Sequence, residues 1–260
     1  MKEIDVDFGG QTVFLTGGSR GIGFGIAEAF ARANANLHII SLGKGLDVAV
    51  EKLSTLGVGQ VTGYACDVTD SHGVRETLGK AGPIDVFIAN AGLERLTPID
   101  DLTDDGEANF RRIIEVNVIG TYLTTRAALA KMRPGGRIIL TSSVWGKSAV
   151  GEFSAYIASK HANIGFMRSL ARELGPRNIR INCICPGWVK TDAALLSLNT
   201  MSLRQDRPEA DILDEVMATQ CLPGLQEPRD VADLYLFLAS SLARNITGQA
   251  INADRGEFLG

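Results

Sequence analysis

Short apolar runs alternate with amphipathic segments along this chain from about its tenth residue. The segments between the runs repeat apolar positions with the period of a helix. The predicted strands are residues 11–16, 37–41, 61–66, 83–89, 137–142, 179–184 and 249–252. Such alternation is typical of a parallel sheet with helices on both faces. The pattern therefore predicts one doubly wound α/β domain over residues 1–260, with a seven-stranded, mostly parallel sheet and no linker or repeat.

Capping residues mark several helix boundaries. Asp70 and Thr103 are predicted to cap the helices that follow the third and fourth strands, and Pro228 to begin a helix that ends at Ala239. The helix after Thr103 is predicted to continue to about Met132, where a Pro-Gly-Gly sequence stops it. Segment 192–220 is predicted to cover a ligand, because ligands of such folds bind beyond the carboxyl ends of the strands.

Composition excludes several classes of protein. A net charge of −4 offers no basic excess to neutralise phosphates, so nucleic acid is not an expected partner. No apolar run approaches the ~18 residues of a membrane span, and residues 1–10 lack the apolar stretch of a signal peptide. The cysteines have neither metal-site nor disulfide spacing. We therefore expect a cytoplasmic protein without a metal, whose cysteines are Cys66, Cys183, Cys185 and Cys221.

A glycine-rich turn joins the first strand to the first helix. Gly17, Gly21 and Gly23 form a G-x-x-x-G-x-G pattern at this point. Glycines let the backbone approach a pyrophosphate closely, and the helix N-terminus offers free N–H donors. The alternative is a tight strand-to-helix turn without a ligand. The position in the first βα turn favours dinucleotide binding.

Ser143, Tyr156 and Lys160 form a candidate acid–base apparatus. Tyr156 and Lys160 lie four residues apart in a predicted helix and therefore share one face, while Ser143 directly follows the fifth strand. A cation within ~4–6 Å lowers the pKa of a neighbouring acid by roughly 1–3 units, so the ammonium is expected to lower that of the phenol. For an isolated Tyr-x-x-x-Lys pair, the alternative is two solvated side chains.

Together these features resemble the short-chain dehydrogenase/reductase family over essentially the whole chain. The motifs that carry the resemblance are Thr16-Gly17-x-x-x-Gly21-Ile22-Gly23, Asn90-Ala91-Gly92, Asn117, Ser143, Tyr156-x-x-x-Lys160 and Pro186-Gly187. The resemblance implies a Rossmann-type domain and NAD(P)-dependent hydride transfer between a carbonyl and an alcohol. It further implies that Tyr156 is the general acid/base, that Ser143 holds the substrate oxygen and that Lys160 binds the nicotinamide ribose. Asn117 would complete a proton relay through water.

The resemblance also implies a cofactor site. Asp67 would bind the adenine amine, the Val189 backbone the carboxamide, and Thr191 the nicotinamide end, whereas Asn90 is expected to brace the sheet. The full set is Gly17, Ser19, Arg20, Gly21, Ile22, Gly23, Ser41, Asp67, Val68, Asn90, Ala91, Gly92, Tyr156, Lys160, Pro186, Gly187, Val189 and Thr191. As an alternative, Asp67 only caps the next turn.

Asn117 has an independent interpretation. Phe110, Ile113 and Ile114 precede it by seven, four and three residues, so a regular helix would place all four on one core-facing stripe. A buried amide without partners costs roughly 1–3 kcal/mol. A satisfied structural asparagine that fixes the helix is therefore the alternative to a relay, and both roles are compatible.

The residues near the second strand bear on cofactor choice. NAD-preferring relatives of this fold end that strand with an acidic residue, and Ser41 occupies the position here. Arg20 matches a basic residue of many NADP-dependent members, and Lys44 is a second candidate cation. The alternative for Arg20 is an exposed turn. NADP is therefore the expected cofactor and NAD the alternative.

The expected partner is a small-molecule substrate. Trp145, Glu152, Trp188 and Glu94 flank the predicted centre and suit a sugar, polyol or small hydroxy compound. A small ketone or a 3-oxoacyl thioester is the alternative, in which case the tryptophans only pack. A catalytically silent sensor or scaffold is the non-enzymatic alternative, because fold alone does not establish chemistry.

Assembly is expected from two helices, 103–132 and 153–174, which resemble those that pair across two-fold axes in the family. Phe166, Met167 and Leu170 exceed what one stripe facing the sheet requires. We therefore expect a homodimer or homotetramer, the alternative being burial of these side chains under a loop. Arg255 stands where the family usually has a small residue, which puts the C-terminal turn in doubt.

Overall fold

The computed structural model of the chain describes residues 6–43 and 45–260. Its strands form one parallel sheet of seven in the order β3-β2-β1-β4-β5-β6-β7, which confirms the predicted Rossmann-type architecture. The order reverses beside β1, so the first strand lies at the switch point of a doubly wound sheet. The strands are β1 (Thr12–Thr16), β2 (Asn36–Ser41), β3 (Val61–Ala65), β4 (Ile84–Ala89), β5 (Met132–Thr141), β6 (Arg180–Pro186) and β7 (Ala250–Ala253).

Helices cover both faces of this sheet. On one face the apolar core includes Ile26, Phe30 and Tyr235, and on the other Val74 and Met167, all of them fully buried. The helices described are α1 (Gly21–Arg32), α2 (Leu46–Leu53), α3 (Ser71–Gly79), α4 (Asp104–Ile114), α5 (Thr121–Leu129), α6 (Ser154–Leu174), α7 (Asp192–Gln205), α8 (Glu209–Ala218) and α9 (Pro228–Ala239). Burial of these two apolar layers is the main driving force for the fold.

The predicted caps are present. The Asp70 carboxylate accepts a hydrogen bond from His72 N (3.0 Å), and the Thr103 hydroxyl accepts one from Gly106 N (3.1 Å). Before Pro228, Glu227 forms a reciprocal capping box with Asp230. These side chains satisfy N–H groups that the first helical turn leaves free.

The long helix predicted from Thr103 to Met132 is wrong in two respects. First, a π-helical segment, Glu115–Gly120, separates α4 from α5. Its wider turn shifts the register, so Phe110 points to solvent with 41% of its surface exposed while Asn117 is buried. Second, the helix ends at Leu129, and Met132 already pairs with Ile84 in the sheet.

Segment 192–220 contains two helices, α7 and α8. The chain beyond it returns to the sheet through β7. The following turn forms despite Arg255, which adopts φ +56° and whose carbonyl oxygen accepts N–H groups from Cys221 (3.0 Å) and Leu222 (2.9 Å). Within the described residues, no helix combines the length and the apolar character needed to span a bilayer.

Three aromatic rings stack across the first three strands. The His38 ring of β2 lies 5.4 Å from that of Phe14 and 5.9 Å from that of Tyr64, with near-parallel planes. Its Nδ1 lies 3.0 Å from the Tyr64 hydroxyl. Burial lowers the pKa of His38 below its usual value. The folded protein therefore binds this proton more weakly than the unfolded chain.

From this we predict that stability falls as pH decreases through ~6.5, the usual pKa of an unfolded histidine, because unfolding then takes up a proton. Urea unfolding at pH 7.5 and pH 5.5 should show a smaller loss in His38→Phe, which keeps the ring stack. His72→Gln changes an exposed histidine and is the matched control. An identical pH dependence in His38→Phe and the wild type would contradict the assignment.

Candidate active site

A cleft runs along the edge where the parallel strands end. Its walls come from the loops after β1, β4, β5 and β6, from α6 and from the start of α7. It brings together most of the predicted site residues. Those lining it are Gly17, Ser19, Arg20, Gly21, Ile22, Gly23, Ser41, Asp67, Val68, Asn90, Ala91, Gly92, Ser143, Tyr156, Lys160, Pro186, Gly187, Val189 and Thr191. The loop positions agree with ligand binding beyond the carboxyl ends of the strands.

Close backbone approach requires glycine at two positions of the β1–α1 turn. Gly17 adopts φ +73°, and a Cβ there would lie 2.8 Å from the Ala91 Cα. A Cβ on Gly23 would lie 1.9 Å from the Gly17 carbonyl oxygen. Only glycine therefore fits this packing. The turn consequently presents the first N–H groups of α1 to the cleft, an arrangement that suits a pyrophosphate.

Asn90 joins the ends of three strands. Its amide nitrogen donates to the carbonyl oxygens of Thr16 (3.3 Å) and Gly17 (3.2 Å), and its amide oxygen accepts from the Thr141 hydroxyl (3.2 Å). The Thr16 hydroxyl in turn accepts the backbone N–H groups of Asn90 and Ala91, both at 3.0 Å. The predicted bracing role is therefore what this side chain performs.

Tyr156 and Lys160 lie on the cleft-facing side of α6, as their spacing predicts. Lys160 is buried, and its Nζ donates to the Thr141 carbonyl oxygen at 2.9 Å. The ammonium lies 5.3 Å from the centroid of the Tyr156 ring. Ser143, two residues after the end of β5, lines the same region and lies close to Tyr156.

The expectation that Lys160 lowers the pKa of Tyr156 is wrong for this structure. Burial raises the pKa of the phenol, the charge of Glu94 raises it further, and the nearby Ser143 hydroxyl opposes both only in part. The Lys160 ammonium does not outweigh burial and the charge of Glu94. Burial also lowers the pKa of Lys160 itself, to about 8, with Glu94 acting in the opposite direction.

Asn117 uses its whole amide group in structural hydrogen bonds. Its Nδ2 donates to the Leu93 carbonyl oxygen and to Ser159 Oγ, both at 2.9 Å, and its Oδ1 accepts from Leu93 N at 2.7 Å. Its carbonyl oxygen accepts from the Thr121 hydroxyl at 2.8 Å. These bonds tie the π-helical segment to the loop after β4 and to α6. A proton relay through Asn117 stays a prediction.

At the opposite end of the cleft, Asp67 forms an ion pair that the sequence did not suggest. Its Oδ2 lies 2.8 Å from Nη2 of Arg112 on α4, and its Oδ1 accepts from Thr69 N and Oγ1. Although burial opposes the shift, the hydrogen bonds from Thr69 and Arg112 lower the pKa of Asp67. Arg112 also lines the cleft. No sequence signal links residues separated by 45 positions.

Three of the four candidates for the substrate pocket line the cleft: Trp145, Trp188 and Glu94. Glu152 is not among the described lining residues, which corrects that prediction. Its carboxylate pairs with Arg204 of α7 at 2.7 Å, outside the cleft. Glu257, after β7, lines the cleft but was not anticipated, because the expected turn at Arg255 was itself in doubt.

The chain matches a family model described as Enoyl-(Acyl carrier protein) reductase over residues 17–257. It is 35% identical to Oxidoreductase UcpA of Escherichia coli (strain K12), covering 96% of this chain and 95% of that protein. It is 33% identical to the 3-oxoacyl-[acyl-carrier-protein] reductase FabG of Chlamydia pneumoniae, covering 97% and 99%. A crystal structure of a short chain dehydrogenase from Burkholderia cenocepacia J2315 in complex with NADP has a TM-score of 0.83, with 30% identity over 96% and 98% of the two chains.

The hydrogen bonds of Asn117 lead to a stability prediction. Asn117→Ala should lower the free energy of unfolding by about 1–3 kcal/mol, because the Leu93 backbone and the Ser159 hydroxyl lose a buried partner. Urea denaturation measures the change. Thr125→Val is the matched control, since the Thr125 hydroxyl is buried without a partner among the described residues. The control should be neutral or stabilising, and an equal loss in both variants would contradict this role for Asn117.

Proposed function

The chain belongs to the short-chain dehydrogenase/reductase family, and from this we propose that it transfers hydride between a nicotinamide cofactor and the carbonyl or secondary alcohol of a small molecule. The observation that carries the proposal is a single cleft in which Ser143, Tyr156 and Lys160 lie beside the glycine-rich turn. A catalytically silent sensor or scaffold is the weaker alternative, because it would not require these three side chains to lie together in the cleft.

The glycine-rich turn fits a dinucleotide, because Gly17 and Gly23 allow the tight backbone packing that opens the start of α1 to the cleft. We assign the cofactor to this turn, to Ser41 and Asp67, and to the cleft-lining loops after β4 and β6. When bound, the nicotinamide supplies or accepts the hydride. The side chains of this protein orient the substrate and move the proton.

In the proposed mechanism Tyr156 moves the proton. Because burial and Glu94 raise its pKa, the phenol stays protonated near neutral pH and is ready to donate to a carbonyl oxygen. Ser143 orients that oxygen. Lys160, held by the Thr141 carbonyl, places a positive charge near the ring as negative charge develops. In the oxidative direction the phenol must first lose its proton, so we expect oxidation to be favoured at higher pH.

We propose NADP as the preferred cofactor, with NAD as the alternative. Ser41 and Ser19 share a hydrogen bond of 2.6 Å between their hydroxyl groups, and Arg20 lines the cleft beside them. No carboxylate among the described residues follows β2 directly to oppose a 2′-phosphate. Lys44, the second candidate cation, lies outside the described residues. Among similar structures, BdcA binds NADPH, whereas the Brucella melitensis reductase has NAD bound.

We propose that the substrate is a sugar, polyol or small hydroxy compound. Trp145 packs edge-on against Tyr156, with ring centroids 6.1 Å apart, and Trp188 and Glu94 complete polar and aromatic walls. The similarity to a 3-oxoacyl-[acyl-carrier-protein] reductase supports a 3-oxoacyl thioester as the second candidate. A small-ketone reductase has a counterpart in levodione reductase, which is 27% identical. Screening alcohols and carbonyls with each cofactor, by its absorbance, tests the choice.

We further propose that the chain is one domain in which segment 192–220 covers the substrate. The protein is proposed to act in the cytoplasm as a homodimer or homotetramer. Phe110 and Tyr122 of α4 and α5 are both more than a third exposed, and Tyr122 contacts Phe166 of α6 edge-on at 6.3 Å. Met167 faces the core and not a partner, which corrects the expectation for that residue. The reduced cysteines, three of them buried, suit a cytoplasmic setting.

The role of Tyr156 predicts that Tyr156→Phe keeps cofactor binding but loses turnover by several orders of magnitude, because it removes the transferable proton. Cofactor absorbance measures turnover, and fluorescence titration measures binding. Tyr122→Phe removes an exposed phenol and is the matched control. Turnover of Tyr156→Phe within about tenfold of the wild type would overturn the assignment. Ser143→Ala should also be severe, through lost orientation.

Cofactor choice predicts that Arg20→Ala raises the KM for NADP while leaving that for NAD nearly unchanged, because the lost cation would contact only the 2′-phosphate. Steady-state kinetics with both cofactors measures the change. Arg32→Ala, at the other end of α1, controls for net charge. A wild-type kcat/KM for NAD equal to or above that for NADP would reverse the assignment.

A further inference from the structure

Two carboxyl groups bracket the substrate end of the cleft. Glu94 follows β4 and Glu257 follows β7, and both line the cleft. Between them lie β5, which ends at Thr141 two residues before Ser143, and β6, which ends at Pro186. Because parallel strands end at the same edge of a sheet, the catalytic hydroxyl groups lie between the two carboxyl groups.

Glu94 interacts with both the catalytic pair and the covering segment. Its carboxyl group lies near Ser197, a buried residue of α7, and near Lys160, whose charge favours the ionised form of Glu94. Burial nevertheless raises the pKa of Glu94. Its charge in turn raises the pKa of Tyr156 and of Lys160. A group that acts on both catalytic side chains lies close to the reacting atoms of a substrate.

Glu257 packs against the turn after β6. Its Oε2 is buried next to Gly187 and has no hydrogen-bond partner among the described residues. Burial and the nearby Asp254 both raise the pKa of Glu257. The carboxyl group as a whole lines the cleft, so a ligand that presents a hydrogen-bond donor to it would be favoured there.

Charge is distributed unevenly along the cleft. Arg20 and Arg112 belong to the end formed by the β1 turn and Asp67, where Arg112 is paired. Among the described lining residues near Ser143, Lys160 is the one cation, and the Thr141 carbonyl already accepts a hydrogen bond from it. An anionic substrate would therefore approach two carboxyl groups with one engaged cation to oppose them.

Resting on the proposed hydride transfer, we propose that Glu94 and Glu257 are specificity-determining residues that select a small alcohol or ketone bearing a second hydrogen-bond donor, either a hydroxyl or an ammonium group. The same pair discriminates against substrates with a carboxylate in that place. This choice favours polyols and amino alcohols over hydroxy acids.

Three matched secondary alcohols provide the test: 1,3-butanediol, 4-amino-2-butanol and 3-hydroxybutyrate. They share a four-carbon chain and differ in the group at its end. Both tryptophans of the chain, Trp145 and Trp188, line the cleft, so quenching of their fluorescence reports binding to the NADP-loaded protein without requiring turnover. The carboxylate should bind about tenfold or more weakly than the diol, and the ammonium compound at least as tightly.

Glu94→Gln and Glu257→Gln should each bring the three affinities closer together. Glu107→Gln removes an equal charge from an exposed ion pair with Arg111 and should leave the ratios unchanged. The discrimination of the wild type should increase as the pH rises above ~4.3, the usual pKa of glutamate, because the raised pKa values of Glu94 and Glu257 place their ionisation above it. Lys160, whose pKa is about 8, keeps its charge at pH values well below that.

Three outcomes would overturn this proposal. They are binding of 3-hydroxybutyrate that equals or exceeds that of the diol, ratios of the three affinities that stay unchanged in both glutamine variants, and no binding of any of the three alcohols. Failure of the proposed function is distinguishable, because it would appear as no turnover of any alcohol or carbonyl with NADP or NAD, whereas the three affinities are measured without turnover. If the protein turns over hydroxy acids in preference to diols, the proposed hydride transfer stands and only the proposed role of the two glutamates is excluded.

Discussion

The hydrogen bonds of Asn90 are the constraint on which the rest of the site depends. This one amide joins the Thr16 and Gly17 carbonyls at the end of β1 to the Thr141 hydroxyl at the end of β5. The Thr141 carbonyl then accepts the Lys160 ammonium. One continuous network therefore runs from the glycine-rich turn to the catalytic lysine. Members of such a network polarise one another, and any other arrangement would leave buried polar groups without hydrogen-bond partners. The network therefore fixes the position of the glycine-rich turn relative to Tyr156 and Lys160.

Burial has the same consequence for each ionisable group of this centre: it favours the neutral form. The pKa of Tyr156 and that of Glu94 are raised, and that of Lys160 is lowered. Glu94 partly offsets the effect on Lys160 and adds to the effect on Tyr156. The centre thus holds a protonated phenol next to a lysine whose charge depends on a neighbouring carboxylate. That combination suits proton donation. Glu94 therefore influences the pKa values of Tyr156 and Lys160 as well as the shape of the cleft.

Local signals in the sequence were sufficient for the strands, for the caps at Asp70 and Thr103, and for the start of α9, because each depends on neighbouring residues. The same holds for the shared face of Tyr156 and Lys160. The π-helical segment at Glu115–Gly120 was not predictable, because it is stabilised by contacts of Asn117 with Leu93 and Ser159, 24 and 42 positions away. Glu152 and Arg112 were misplaced or missed for the same reason: their partners, Arg204 and Asp67, lie far away in sequence.

The covering segment differs energetically from the sheet on which it lies. Its ion pair to the catalytic loop, Arg204–Glu152, has side chains about 40% exposed, and such pairs contribute about 0–1 kcal/mol. Several of its apolar side chains, including Leu196 and Leu203, face solvent instead of a core. Detaching the segment therefore disrupts far less buried surface than opening the sheet does. The fold thus combines a rigid hydrogen-bond network at the strand ends, which positions the catalytic side chains, with a weakly held covering segment. Because this segment brings Ser197 close to Glu94, its position also affects the electrostatics of Tyr156 and Lys160.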